Sequence, residues 1–271
     1  MKHFAAFRKG TPIDDPILLE IRDRIAFLTL NRPAARNAID EGVLTALPAA
    51  LRRVREDPDV KALVVSGAGE AFCIGLDIGL LGHAFNDAAY FQDVLERFKR
   101  ILTDLESLPV PVVAAVNGLA RAGGFEVMLA CDLVIVADEA RIADHHLAFG
   151  IVPGGGSTQR APRKIGDQRA RELLFTARWL TGPEAAACGL ALRSVPAAQV
   201  AAEVEALVAV FRTRSRTALA ATKAAMNEGA GLPLPRALDI ETEVFMRYLT
   251  GDPNAAEGFR AYEAGRDPVW P

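Results

Sequence analysis

Three stretches of this 271-residue chain gather the residue types that do chemistry. The first, 67–78, reads GAGEAFCIGLDI and directly follows the apolar run ALVVS. A strand that runs into glycines brings main-chain amides to its carboxyl end, where open α/β sheets bind ligands. The stretch is not a P-loop, because no Gly-Lys-Ser/Thr follows. The spacing of Gly67, Gly69 and Gly75 also excludes a dinucleotide fingerprint. The second, 112–132, reads VVAAVNGLARAGGFEVMLACD, with Gly123 and Gly124 opening a short helix. The first N–H groups of a helix carry partial positive charge, which suits an incipient anion. Glycine there lets a carbonyl approach the main chain closely. Glu126 falls in the first turn, either as a partner of the helix dipole or as a general base beside those donors. The third stretch, 137–160, holds Asp144, His145 and His146 in a chain with only four histidines. Adjacent histidines diverge and no carboxylate has ligand spacing, so no metal site is expected. Pro153-Gly154-Gly155-Gly156 lacks the lysine of a phosphate cradle.

The elements that must position these residues alternate in type. Residues 17–22 and 25–30 are short β-rich runs separated by Asp23-Arg24, which predicts a hairpin. A helix is expected over 39–55, led by polar Asn37 and bent at Pro48, and Asp57-Pro58 ends it. Residues 62–66 form a buried strand. Phe91, Val94, Leu95, Phe98, Ile101, Leu102 and Leu105 recur at helical spacing and predict a helix over 90–107. Strand 112–116, a loop over 117–124, a short buried helix over 125–130 and strand 133–137 follow. Strands that are apolar throughout and alternate with helices imply an α/β domain with parallel pairing. From about Arg169 onward Ala-rich helices dominate, over 170–177, 183–189, 197–212, 218–228 and 235–249, with a strand over 190–195. Apolar faces on such helices predict subunit packing.

Composition bounds the rest. The chain is 51% hydrophobic and 24% charged, with a mean hydropathy of +0.16, as in an ordinary globular protein. A net charge of −3 and a pI near 5.9 argue against a general nucleic-acid footprint. Cys73, Cys131 and Cys188 are isolated, so neither a disulfide framework nor a zinc knuckle is expected, and a reducing cytoplasm fits best. Residues 1–15 read as a flexible tail without the apolar core of a secretory signal. The most hydrophobic stretch, 110–116, is far too short to span a membrane.

Taken in order, these pieces resemble the enoyl-CoA hydratase/isomerase (crotonase) superfamily from about Ile17 onward. The matching segments begin with Asn31-Arg32-Pro33 and Arg36-Asn37-Ala38, then run through 71–78 and 111–132. Phe149 to Gly154, Thr158-Gln159-Arg160 and Leu180-Thr181-Gly182 with Ala185, Ala187, Gly189 and Leu190 complete them. The resemblance implies a spiral of ββα units over 16–200 that binds acyl-CoA. It also implies a helical region over 201–271 that serves oligomerisation and pocket closure, in a homotrimer or homohexamer.

In such proteins the thioester carbonyl sits between two main-chain N–H groups, which by position are those of Leu76 and Gly123. Glu126 matches the first of two hydratase glutamates, and His146 stands where the second is expected. The resemblance therefore implies an enoyl-CoA hydratase-type lyase using Glu126 and His146. The alternatives are an isomerase with Glu126 as its single base, a hydrolase or retro-Claisen enzyme using His146, and a non-catalytic acyl-CoA binder. Arg36, Gly75, Asp77, Ile78, Gly124 and Arg266 are expected to contact substrate or CoA. Leu80, Leu81, His83 and Phe85, within 79–89, suggest an apolar lid. No metal or redox cofactor, nucleic acid or membrane partner is expected.

Overall fold

The computed structural model describes residues 15–84 and 86–270. All of the expected N-terminal tail except Asp15, and Phe85 of the expected lid, lie outside the described residues. The chain opens with the predicted hairpin, β1 (Ile17–Arg22) and β2 (Ile25–Leu30), paired antiparallel. Helix α1 (Glu41–Glu56) runs unbroken through Pro48. Its cap is Asp40, whose carboxylate accepts the Val43 N–H at 2.9 Å. Asn37 is instead buried in the preceding loop, donating to Ala68 O and Ala71 O and accepting from Arg32 N.

The chain then repeats a pattern of two strands followed by helix. Strands β3 (Ala62–Gly67) and β4 (Ala71–Cys73) precede α2 (Ile78–Ala84) and α3 (Ala88–Glu106). Next come β5 (Val112–Val116) and β6 (Leu119–Arg121), followed by α4 (Gly123–Ala130). Then β7 (Leu133–Ala137) and β8 (Ile142–Ala143) lead to α5 (Ser157–Ile165) and α6 (Asp167–Thr176). In each repeat the first strand joins a large sheet of order β1-β2-β3-β5-β7-β9, in which β9 is Arg193–Val195. The second strand joins a small sheet of order β4-β6-β8. Every pairing except β1–β2 is parallel. This is the expected spiral of ββα units.

Two expectations need correction. The segment 117–124 is not simply a loop, because it contains β6, and α4 starts at Gly123 rather than Phe125. The strand expected over 190–195 is confined to Arg193–Val195. Three-residue strands leave no periodicity to read; their existence depends on neighbours distant in sequence.

After α7 (Gly182–Ala187), α8 (Val200–Arg212) buries Val200, Val204 and Val208 in the main core. Helices α9 (Arg216–Gly229), α10 (Leu234–Gly251) and α11 (Glu257–Glu263) complete the described chain. Buried Lys61 anchors the end of α8, donating to Arg212 O at 2.9 Å and Arg214 O at 2.8 Å. Among the described residues no helix is long and apolar enough to cross a membrane.

The start of α4 packs directly on β4. A methyl group on Gly124 would lie 2.0 Å from Cys73 O and 2.5 Å from Cys73 C, both main-chain atoms. Gly124→Ala is therefore expected to lower stability by about 1–3 kcal/mol or more. Gly251→Ala, whose methyl would meet nothing within 4 Å, should stay within about 0.5 kcal/mol of wild type. Denaturant unfolding of the two variants checks the contrast, and equal effects would contradict this packing.

Candidate functional site

The three strands of the small sheet run parallel, so their carboxyl ends emerge side by side. Leu76 lies three residues beyond β4, Gly123 two beyond β6, and His146 three beyond β8. All three line a cavity of about 750 Å³. Arg36, Asp77, Ile78 and Glu126 line it too, whereas Gly75, Gly124 and Arg266 do not. Arg266 is held by both carboxylate oxygens of Glu257, at 2.7 and 3.1 Å. The Gly75 and Gly124 positions act through the backbone, as follows.

Ile39 donates to Gly75 O and accepts from Asp77 N, at 2.8 and 2.9 Å. This parallel bridge clamps the peptides on both sides of Leu76 and makes no use of the Leu76 N–H. Gly75 itself has φ +92, in the region glycine tolerates, and a methyl there would come within 2.6 Å of Gly123 N. A methyl on Gly123 would be 3.0 Å from Gly75 Cα and 3.4 Å from Leu76 N. The two main-chain segments thus touch, and Leu76 and Gly123 both line the cavity. Gly123 begins α4, where an N–H has no partner within the helix. Ala122 precedes it with φ 50 and ψ −120, a costly conformation for a residue with a side chain. Bonds from Ala122 N to Ala143 O (3.2 Å) and Asp144 O (3.0 Å) hold it there.

Glu126, one turn into α4, is only 2% exposed. Its Oε1 accepts from Ser157 N at 3.1 Å and Ser157 Oγ at 3.3 Å. Ser157 is the first residue of α5, so the carboxylate meets the positive ends of two helices. Burial raises the Glu126 carboxyl above its ordinary range, against the opposing pull of the His146 charge and the Ser157 N–H. The loop before Ser157 is tied down by Arg160, which donates to Gly155 O and to both oxygens of Glu106.

His146 lines the same cavity as Glu126, with Nδ1 3.0 Å from Oδ2 of fully buried Asp144. Burial alone would lower its pKa, but the hydrogen bond to Asp144 and the charges of Asp144 and Glu126 outweigh it, and the net shift is upward. His145 turns away with φ 59, places Nδ1 2.8 Å from Ala177 O and packs against Trp179. Cys73 lies under the site, but burial pushes its thiol up to about 12, so it is no thiolate nucleophile at neutral pH.

The remaining wall is largely apolar, from Ile74, Leu81, Phe91, Leu95, Phe98 and Ile151. Of the expected lid residues, Leu81 lines the cavity, Leu80 is buried, and His83 stacks edge-on against Tyr90. Sequence reasoning assigns no role to Arg121, although it lines the cavity beside Arg36 and lies over Phe149 at 5.5 Å. Nor does it assign one to Asp144, for which the available signal was a carboxylate two residues from His146, directly after an apolar strand. Among the described residues no group of three or more His, Cys, Asp or Glu is arranged to hold a metal.

Comparison with known proteins gives a consistent result. A family model described as enoyl-CoA hydratase/isomerase matches residues 20–271. The crotonyl-CoA hydratase of Syntrophomonas wolfei is 34% identical over 249 residues, covering 91% of this chain and 94% of its own. A probable mitochondrial enoyl-CoA hydratase of Dictyostelium discoideum is 32% identical over 251 residues, covering 93% and 89%. Among solved structures, the enoyl-CoA hydratase of Bacillus anthracis superposes with a TM-score of 0.88 at 28% identity, covering 94% of this chain and 98% of that one.

The Glu126 environment has a measurable consequence for stability. A carboxyl whose folded pKa exceeds its unfolded one binds its proton more readily in the folded chain. Stability then falls as pH rises through that interval. Glu126→Gln removes the titrating group. Thermal denaturation at about pH 8.5 is expected to find the variant more stable than wild type, with the gap closing toward about pH 4. A variant less stable than wild type at the higher pH contradicts this.

Proposed function

This chain belongs to the enoyl-CoA hydratase/isomerase family, and from that premise we propose that it adds water to an enoyl-CoA thioester. The observation that carries the reading is the contact between the Gly75–Leu76 and Gly123 main chains at the wall that Glu126 and His146 face. The thioester oxygen binds between the Leu76 and Gly123 N–H groups. As the oxygen of water bonds to the β-carbon, the double-bond pair moves toward the carbonyl and an enolate develops there. Donors aimed at such a charge act strongly because they are already oriented, and losing one typically costs about 2.7–4 kcal/mol of transition-state stabilisation. Glu126 accepts the proton of the attacking water. His146, whose raised pKa favours the imidazolium, delivers a proton to the α-carbon. A proton passing from Glu126 to His146 then restores both groups.

Arg36 and Arg121 lie at the same cavity and suit the anionic groups of CoA. We assign residues 16–200 to the acyl-CoA core and 201–271 to oligomerisation and pocket closure. Exposed Met226, Leu234, Leu238, Phe245 and Leu249 on α9 and α10 support burial between copies in a homotrimer or homohexamer. No cofactor beyond the CoA of the substrate is required, and isolated cysteines suit a reducing cytoplasm.

A second reading is favoured by one observation, the imidazole where the family resemblance implies a second carboxylate. A neutral His146 can activate water for attack on a carbonyl, giving hydrolysis or retro-Claisen cleavage. Incubation with crotonyl-CoA and with a β-ketoacyl-CoA, read by product mass, separates the two. Hydration yields one product heavier by one water, and cleavage yields two fragments. We expect hydration of crotonyl-CoA, with Glu126→Gln slowing it by about 10²–10⁴-fold. Unchanged turnover in Glu126→Gln overturns the catalytic assignment.

A further inference from the structure

Among the described residues, the buried or half-buried lysines have evident structural partners. Lys61 caps α8, Lys164 donates to Cys131 O, and Lys223 bridges Leu105 O, Val110 O and Asp132. Asp144 differs, because the partners of its carboxylate belong to the site itself. It follows β8 directly and is 0% exposed. Its Oδ2 lies 3.0 Å from His146 Nδ1, and its Oδ1 accepts the His146 main-chain N–H at 3.4 Å. Its main-chain oxygen accepts the Ala122 N–H at 3.0 Å, one residue before Gly123. One residue therefore grips both the imidazole and the strained peptide that presents the Gly123 donor.

We propose that Asp144 is a positioning residue: its carboxylate accepts the Nδ1–H of His146, so that Nε2 is the nitrogen presented to the cavity to exchange protons with substrate or water. The inference rests on the reading in which His146 takes part in proton transfer. The physical basis is the two-sided character of imidazole. A carboxylate can only accept, so it fixes the proton on Nδ1 and leaves Nε2 as the acceptor in the neutral ring. The same negative charge favours the imidazolium once Nε2 takes a proton. The other charged groups facing the ring are Glu126 from α4, which also favours the imidazolium, and Arg121 from the end of β6, which opposes it. Arg36 stands next to Arg121. Asp144 is the one of these in hydrogen-bond contact with the ring.

The test begins with the wild-type protein. Nitrogen-15 NMR of the imidazoles, with His146 assigned by its loss in His146→Gln, is expected to show the neutral ring protonated on Nδ1. It should titrate above the ordinary value of about 6.5. A ring protonated on Nε2 overturns the proposal without any appeal to activity. In Asp144→Asn the titration should move to lower pH. The kcat should fall by about 10–100-fold, with KM changing less than about threefold. The pH-rate limb belonging to His146 should move with the titration. In a His146→Gln background, Asp144→Asn should cost little more, because the two act as one unit. An equal loss in that background, or an unmoved titration, marks Asp144 as merely structural and overturns the proposal. Should wild type turn over no acyl-CoA, the functional reading fails, while the NMR measurement still decides the role of Asp144.

Discussion

The structure depends on one main-chain contact, in which the turn leaving β4 meets the first residue of α4. Gly75 and Gly123 approach so closely that a methyl on either would lie within 3.0 Å of the other's backbone. Everything around them serves that approach. Ile39 clamps the peptides flanking Leu76, Gly124 lets α4 seat on Cys73, and Ala122 is held at positive φ by β8 and the residue after it. The large sheet supplies stability, but the small three-stranded sheet supplies position. Its strands are short, and their carboxyl ends deliver three separate parts of the sequence to one cavity wall.

Charge at the site is arranged by the same packing. Glu126 is buried where its ionised form is disfavoured, yet the N-terminus of α5 and His146 pull the other way. His146 is half-buried, and Asp144 and Glu126 together favour its charged form. An acid raised by burial and an imidazole raised by carboxylates line one cavity. The neighbouring wall from α2 and α3 is largely apolar.

In the large sheet β2, β3, β5 and β7 were legible because each is a largely apolar run of five or six residues, whereas three-residue β9 was not, and α3 was legible from its 3.6-residue spacing. The strands β4, β6 and β8 were not, because two or three residues carry no period and exist only through pairing. Asn37 shows a related limit. Its polarity near a helix start reads as capping, but Asp40 takes that task and Asn37 bridges Ala68 and Ala71 instead. The positions of Leu76 and Gly123 came from family resemblance, since main-chain donors leave little trace in residue type. Arg121 and Asp144 carried no assigned role, because nothing in linear spacing shows which side chains turn toward one cavity. Arg266, expected to contact substrate or CoA, is paired with Glu257.

The central claim is that the Leu76 and Gly123 N–H groups together receive a thioester oxygen. A crystal structure with a bound, unreactive acyl-CoA thioester tests it most directly. The account predicts the carbonyl oxygen within about 2.7–3.1 Å of both nitrogens, with Glu126 and His146 flanking the α and β carbons. A carbonyl bound elsewhere in the cavity, or bonded to neither nitrogen, would contradict it.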